Sequence, residues 1–96
     1  MVAEKVVETI ETYRQLFIER KIGKIDHPHD DMLKETEFGL EHCHGMLDKM
    51  IDFVHEGRME KAFRWLGFIQ GVLWANRVYT LTDLKNHNRP DNGEKQ

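Results

Sequence analysis

The chain has 96 residues and carries 17 acidic against 14 basic side chains, a net charge of −3 with histidine neutral. That length holds one domain with a modest core, and 40% hydrophobic with 32% charged residues reads as folded rather than disordered. The acidic balance argues against a protein that coats duplex DNA, which needs a broad basic field. A small anion, by contrast, needs only a few placed cations.

No run of about 18 apolar residues occurs, so no membrane partner is expected. The acidic, amphipathic start, Met-Val-Ala-Glu-Lys, lacks the basic, apolar and small-residue regions of a secretory signal. The single cysteine, Cys43, offers no intramolecular disulfide framework and fits a reducing cytoplasm.

In chain order, a first helix is expected from Ala3 to Lys21. Val6, Ile10, Tyr13 and Phe17 recur at i, i+4, i+7 and i+11 on one face, widened by Val2, Val7 and Leu16. Gly23 is expected to end it as a left-handed cap. Lys24–Asp31 reads as a loop, with Asp30 or Asp31 as the N-cap of a long second helix from Met32 to His55. Leu33, Leu40, Leu47 and Val54 lie a heptad apart, and Thr36, Cys43 and Met50 fill the alternate seam positions. Such a helix would run roughly 35 Å at 1.5 Å per residue, closed by Gly57.

The third helix, Met59–Asn76, is apolar almost all round after Phe63, a pattern that implies burial on several sides and hence a second subunit. Gly67, Gly71 and Ala75 form a small-residue stripe where another backbone or a ligand could approach closely. Thr80 with Asp83 reads as a capping box opening a short fourth helix, Thr-Leu-Thr-Asp-Leu-Lys-Asn-His. The expected fold is all-α: a long antiparallel hairpin of helices two and three, with helix one packed across it and a short C-terminal helix. Residues 1–89 form one domain, and 90–96 a frayed tail.

Six histidines raise the question of metal. Glu41 and His44 have the Glu-x-x-His spacing of di-iron bundles, and Asp52 and His55 repeat it. Glu37, Glu41, His44, Asp48, Asp52 and His55 make one stripe beside the leucine seam. The third helix has no matching motif, so the stripe reads as a solvated acidic face holding no ion. His42 and His44 lie about 200° apart around the helix and cannot share an ion. His27-Pro28-His29 with Asp30 reads as surface loop histidines. No metal ligand, catalytic residue or cofactor is therefore assigned.

A magnesium-dependent pyrophosphohydrolase would need facing carboxylates, here Glu4, Glu8 and Glu11 against the stripe, and such crowding without metal is repulsive. Cys43 lies on the seam, where burial disfavours a nucleophile. Gln70, inside an apolar stretch, needs partners across a subunit interface or on a ligand.

Arg64-Trp65-Leu66, followed by Gly67-Phe68-Ile69-Gln70-Gly71-Val72-Leu73-Trp74 and later by Leu84-Lys85-Asn86-His87-Asn88-Arg89, resembles a family of small bacteriophage proteins. More distantly the layout is similar to the phage anti-CBASS cyclic-oligonucleotide sponge, whose hairpin domain also serves an anti-Thoeris sponge. An early Tyr13-Arg14 and the Arg64-Trp65-Leu66 that opens the last long helix carry that similarity. The resemblance implies a non-catalytic homo-oligomer in the host bacterial cytoplasm that sequesters a cyclic nucleotide signal of antiviral defence. The alternative is a helical module that binds and inhibits a host protein; an enzyme comes third. The candidate ligand contacts are Tyr13 for a base, Lys21 and Lys24 at the end of helix one, and Arg64, whose planar fork suits two phosphate oxygens.

Overall fold

The computed structural model describes residues 1–90, which form four α-helices with no strand among them: α1 (Ala3–Glu19), α2 (Phe38–His55), α3 (Met59–Ala75) and α4 (Leu81–Asn88). The protein is all-α, as its periodicity predicts. Of the expected tail, 90–96, residues 91–96 lie outside the described residues. No helix among the described residues is long and apolar enough to cross a membrane.

The core sits where α2 packs against both α1 and α3. α1 buries the expected face, Val6, Ile10, Tyr13 and Phe17. α2 contributes Leu40, Cys43, Leu47 and Met50, and α3 contributes Ala62, Leu66, Ile69 and Leu73. Near the end of α2 the buried position moves from Val54 to Phe53, whose ring meets Trp65 edge-on at 4.8 Å.

The start of α2 departs from the heptad reading. The helix begins at Phe38, six residues after Met32, and neither Asp30 nor Asp31 caps it. Met32 is 93% exposed and Leu33 46%, so the first seam position has little to pack against. Regular helix begins where α3 offers a partner: a Cβ on Gly39 would stand 3.2 Å from Val72 Cγ1. Just upstream, Asn76 Nδ2 donates to the Thr36 carbonyl at 3.2 Å, and i→i−3 bonds lead into the helix.

The first three helices end in one motif. Lys21 (φ 59°), Gly57 (φ 76°) and Arg77 (φ 62°) take left-handed backbone. The next amide in each case reaches back to close the last turn: Ile22 N to Phe17 O at 2.9 Å, Arg58 N to Phe53 O at 2.8 Å, and Val78 N to Leu73 O at 2.9 Å. Gly57 has the expected role; Gly23 does not, because α1 ends before it and Lys21 makes the turn. Ile22 and Val78, the residues after the left-handed positions, pack on the core, and their burial sets the register of the turn over the steric preference for glycine. A side chain there costs about 1–2 kcal/mol. Arg77→Gly should therefore stabilise the protein by about 0.5–1 kcal/mol, after the greater freedom of glycine in the unfolded chain is subtracted; an upward shift of the urea midpoint is the readout.

The capping box of α4 is complete, with Asp83 N donating to Thr80 Oγ1 and Thr80 N to Asp83 Oδ2, both at 3.0 Å. The helix then docks through polar groups. Gln70 Nε2 donates to Asn88 Oδ1 (2.8 Å) and to Tyr13 Oη (3.0 Å), and Asn88 Nδ2 returns a bond to Gln70 Oε1 (3.2 Å). Because the Tyr13 oxygen accepts from Gln70, its hydroxyl proton points to His87 Nδ1 at 2.8 Å, which makes that nitrogen the acceptor. The partners of Gln70 are thus inside the chain, joining α1, α3 and α4.

Burial pushes the His87 imidazole below its ordinary value, against a smaller opposite pull from Asp83. Since the folded state holds this proton less tightly than the unfolded chain, stability falls as pH drops below about 6.5, until the lowered folded value is reached. Urea midpoints should decline as pH falls below about 6.5, and His87→Gln should flatten that slope. An equal slope in the variant would remove His87 from the account.

Candidate ligand-binding cavity

The loop between α1 and α2 folds back along the start of α2. Ile25 N donates to Glu41 O (3.3 Å), and the backbone N–H of His27 points at His42 Nδ1 (3.3 Å). His27 Nε2 lies 3.2 Å from Glu41 Oε1, and its ring stacks on Phe38 at 5.9 Å. These contacts place Asp26 and His29 over α2 and open a cavity of about 420 Å³ between loop, α2 and α3. α2 lines it with His42, Gly45, Met46 and Lys49, at i, i+3, i+4 and i+7; α3 adds Arg64, Trp65 and Phe68. Two cations thus share a concave surface with two aromatic rings, an arrangement that can hold an anionic group beside a flat ring. Burial lowers the His42 imidazole below its ordinary value, opposed by Asp26 and reinforced by His29 and His27.

Of the four residues expected at a ligand site, Arg64 alone lines this cavity. Its side chain is largely exposed, with Glu60 at 3.8 Å. Tyr13 is fully buried and its hydroxyl is satisfied by Gln70 and His87, so it belongs to the core. Burial pushes its phenol up to about 12. Lys24 Nζ is held by Asp48 Oδ2 at 2.9 Å, and Lys21 is an exposed turn residue at the end of α1.

Lys49, Met46, Phe68, Asp26, His29 and His42 were not singled out as ligand contacts by the sequence. The helical spacing of His42, Gly45, Met46 and Lys49 was readable, but only the folded loop and α3 turn that face into a cavity wall. Trp74, Arg77 and Tyr79 meet elsewhere, around a wider hollow of about 530 Å³ beside the start of α4.

The acidic stripe of α2 is divided among other partners. Asp48 receives Arg14 at 2.6 Å as well as Lys24. These bonds, Arg14's foremost, hold its carboxyl below the usual value. Glu8 pairs with Lys5 and Glu11 with Arg14, so α1 meets the stripe through a cation rather than a carboxylate set.

The stripe is not solvated throughout, because His44 is 5% exposed, with Nδ1 bonded to Ile22 O at 2.8 Å and no partner for Nε2 among the described residues. His42 and His44 do diverge, one to the cavity and one to the core. Cys43 is buried and its thiol is pushed up to about 12 by desolvation, as a seam position implies. No protein-family model, curated protein or solved structure matches the chain.

Proposed function

We propose that the protein is a non-catalytic binder that sequesters a nucleotide-type anion in the cavity between α2 and α3. The ligand is a cyclic nucleotide signal of bacterial antiviral defence, and the host cytoplasm is the place of action. The observation that carries this reading is the meeting of Lys49 and Arg64 with Trp65 and Phe68 on one concave surface. Aromatic faces take a base by stacking, and the cations take phosphate oxygens.

The cavity, at about 420 Å³, is at the small end of the ~300–1,000 Å³ range of ligand sites. It suits one base with its phosphate. A cyclic dinucleotide, with near two-fold symmetry, would need a second copy to supply the matching half.

The outer face of α3 supports such an assembly. Phe63, Phe68 and Trp74 are 39%, 55% and 52% exposed, beside Gly67 and Gly71, whose missing side chains would meet nothing within 4 Å among the described residues. Only Ala62, Leu66, Ile69 and Leu73 of the helix are buried, so the burial on several sides expected of it is not supplied by one chain. Phe68 belongs both to this face and to the cavity wall, so an α3–α3 contact would bring two cavities together.

Gly71→Leu separates fold from assembly. Without a neighbour the new side chain has space, and leucine is a better helix former by about 1 kcal/mol. In a close helix contact it overpacks by roughly 1–3 kcal/mol. Sedimentation velocity should show the parent as an oligomer and the variant as a folded, smaller species. A monomeric parent at micromolar concentration would end the assembly reading.

The functional test is incubation with cyclic nucleotides, followed by heat denaturation and analysis of the released material. Intact recovery supports sequestration, and an altered product points to an enzyme. If nothing is taken up, the exposed apolar face of α3 favours a module that binds a host protein instead.

A further inference from the structure

We infer that Asp26, His29 and His42 form a binding site for a transition-metal ion of the zinc class, with an open coordination position facing the cavity. The three side chains come from two segments, the loop and α2, and their ligand atoms lie within 4.8 Å of one another. The separations are informative. His29 Nε2 stands 3.4 Å and His42 Nδ1 3.7 Å from Asp26 Oδ1. Both are longer than a good hydrogen bond, about 2.7–3.2 Å. Both are close to the edge of a tetrahedron built on metal–ligand bonds of 2.0–2.1 Å, about 3.3–3.4 Å. Small movements of an exposed loop would close the set.

The ring chemistry fits as well. The backbone N–H of His27 points at His42 Nδ1 from 3.3 Å, which marks Nδ1 as the lone-pair nitrogen of a neutral imidazole. A metal would replace that long hydrogen bond at the same lone pair. The imidazoles of His29 and His42 have centroids 5.8 Å apart and lie nearly perpendicular, so the two rings are neighbours without stacking. Two histidines and one carboxylate are a donor set that zinc-class ions accept, leaving a fourth position for water or an anionic oxygen.

All three ligands also line the cavity that holds Lys49 and Arg64. In the sequestration reading, on which this last step alone rests, the open position takes a phosphate oxygen of the ligand. The sequence offered His27, His29 and Asp30 as a loop cluster. The fold selects Asp26, His29 and His42, because His27 turns to Glu41 and Phe38.

The test uses tag-free protein and Co²⁺ in the absence of any nucleotide, so that it stands or falls apart from the sequestration assay. We expect one equivalent of Co²⁺ to bind with visible d–d absorption, to be displaced by Zn²⁺, and to raise the melting temperature by tying the loop to α2. His29→Ala and His42→Ala should each weaken binding by more than the roughly 10–100-fold that loss of a supporting partner costs. His55→Ala, at the exposed end of α2, should bind as the parent does. Circular dichroism of the metal-free variants checks that they fold. Absence of Co²⁺ binding, or binding that survives both His29→Ala and His42→Ala, overturns the site. Metal binding without nucleotide uptake would sustain the site and refute sequestration.

Discussion

Tyr13→Ala is expected to cost about 3–5 kcal/mol, the scale for removing a large buried aromatic side chain. The ring is fully buried and packs against Tyr79 and His87, with centroids at 6.0 Å and 5.4 Å. Its hydroxyl sits between Gln70 and His87, so the truncation both opens a cavity and strips a polar junction. Against a typical stability of about 5–15 kcal/mol, this removes a large share of what holds the native state.

Tyr13→Phe isolates the hydroxyl. Gln70 keeps Asn88, but His87 Nδ1 loses its donor, and the expected cost is about 1–3 kcal/mol. Urea midpoints measure both variants. Tyr13→Phe should retain ligand uptake in full; lost uptake at unchanged stability would return Tyr13 to the ligand site.

Arg64→Ala should weaken nucleotide uptake by roughly 1.5–3 kcal/mol, the scale of a hydrogen bond to a charged group, and Lys49→Ala should do the same. Neither should move stability by more than about 0.5 kcal/mol. Arg64 is exposed, and its contact with Glu60 is long, at 3.8 Å. Lys24→Ala makes a contrasting control. Lys24 serves the Arg14–Asp48–Lys24 cluster at the surface, where an exposed pair contributes about 0–1 kcal/mol, so its loss should leave uptake unchanged. Isothermal titration across the three variants separates cavity from surface. Equal binding by Arg64→Ala, Lys49→Ala and the parent would remove the cavity from the functional reading.

Local rules were enough for the features that depend on neighbours within a helical turn or two. The i, i+4, i+7, i+11 face of α1, the seam position of Cys43 and the Thr80–Asp83 box are all legible in the bare chain, because each follows from helical periodicity or from a bond between residues three apart. Features that need a partner distant in the chain were not legible. α2 starts at Phe38 because α3 begins to cover it there, although the heptad pattern runs back to Leu33. Lys21 takes the left-handed turn because the following Ile22 must be buried, although Gly23 is the better residue for such a turn. Gln70 announced only that it needed partners, and α4 supplies one from 18 residues away. The same holds for the candidate site. Arg64 could be picked out as a cation at the mouth of an apolar helix, whereas Lys49, Asp26 and His42 gain meaning only when the loop folds back over α2. A concave surface is made by three segments meeting, and no periodicity within one of them encodes the meeting.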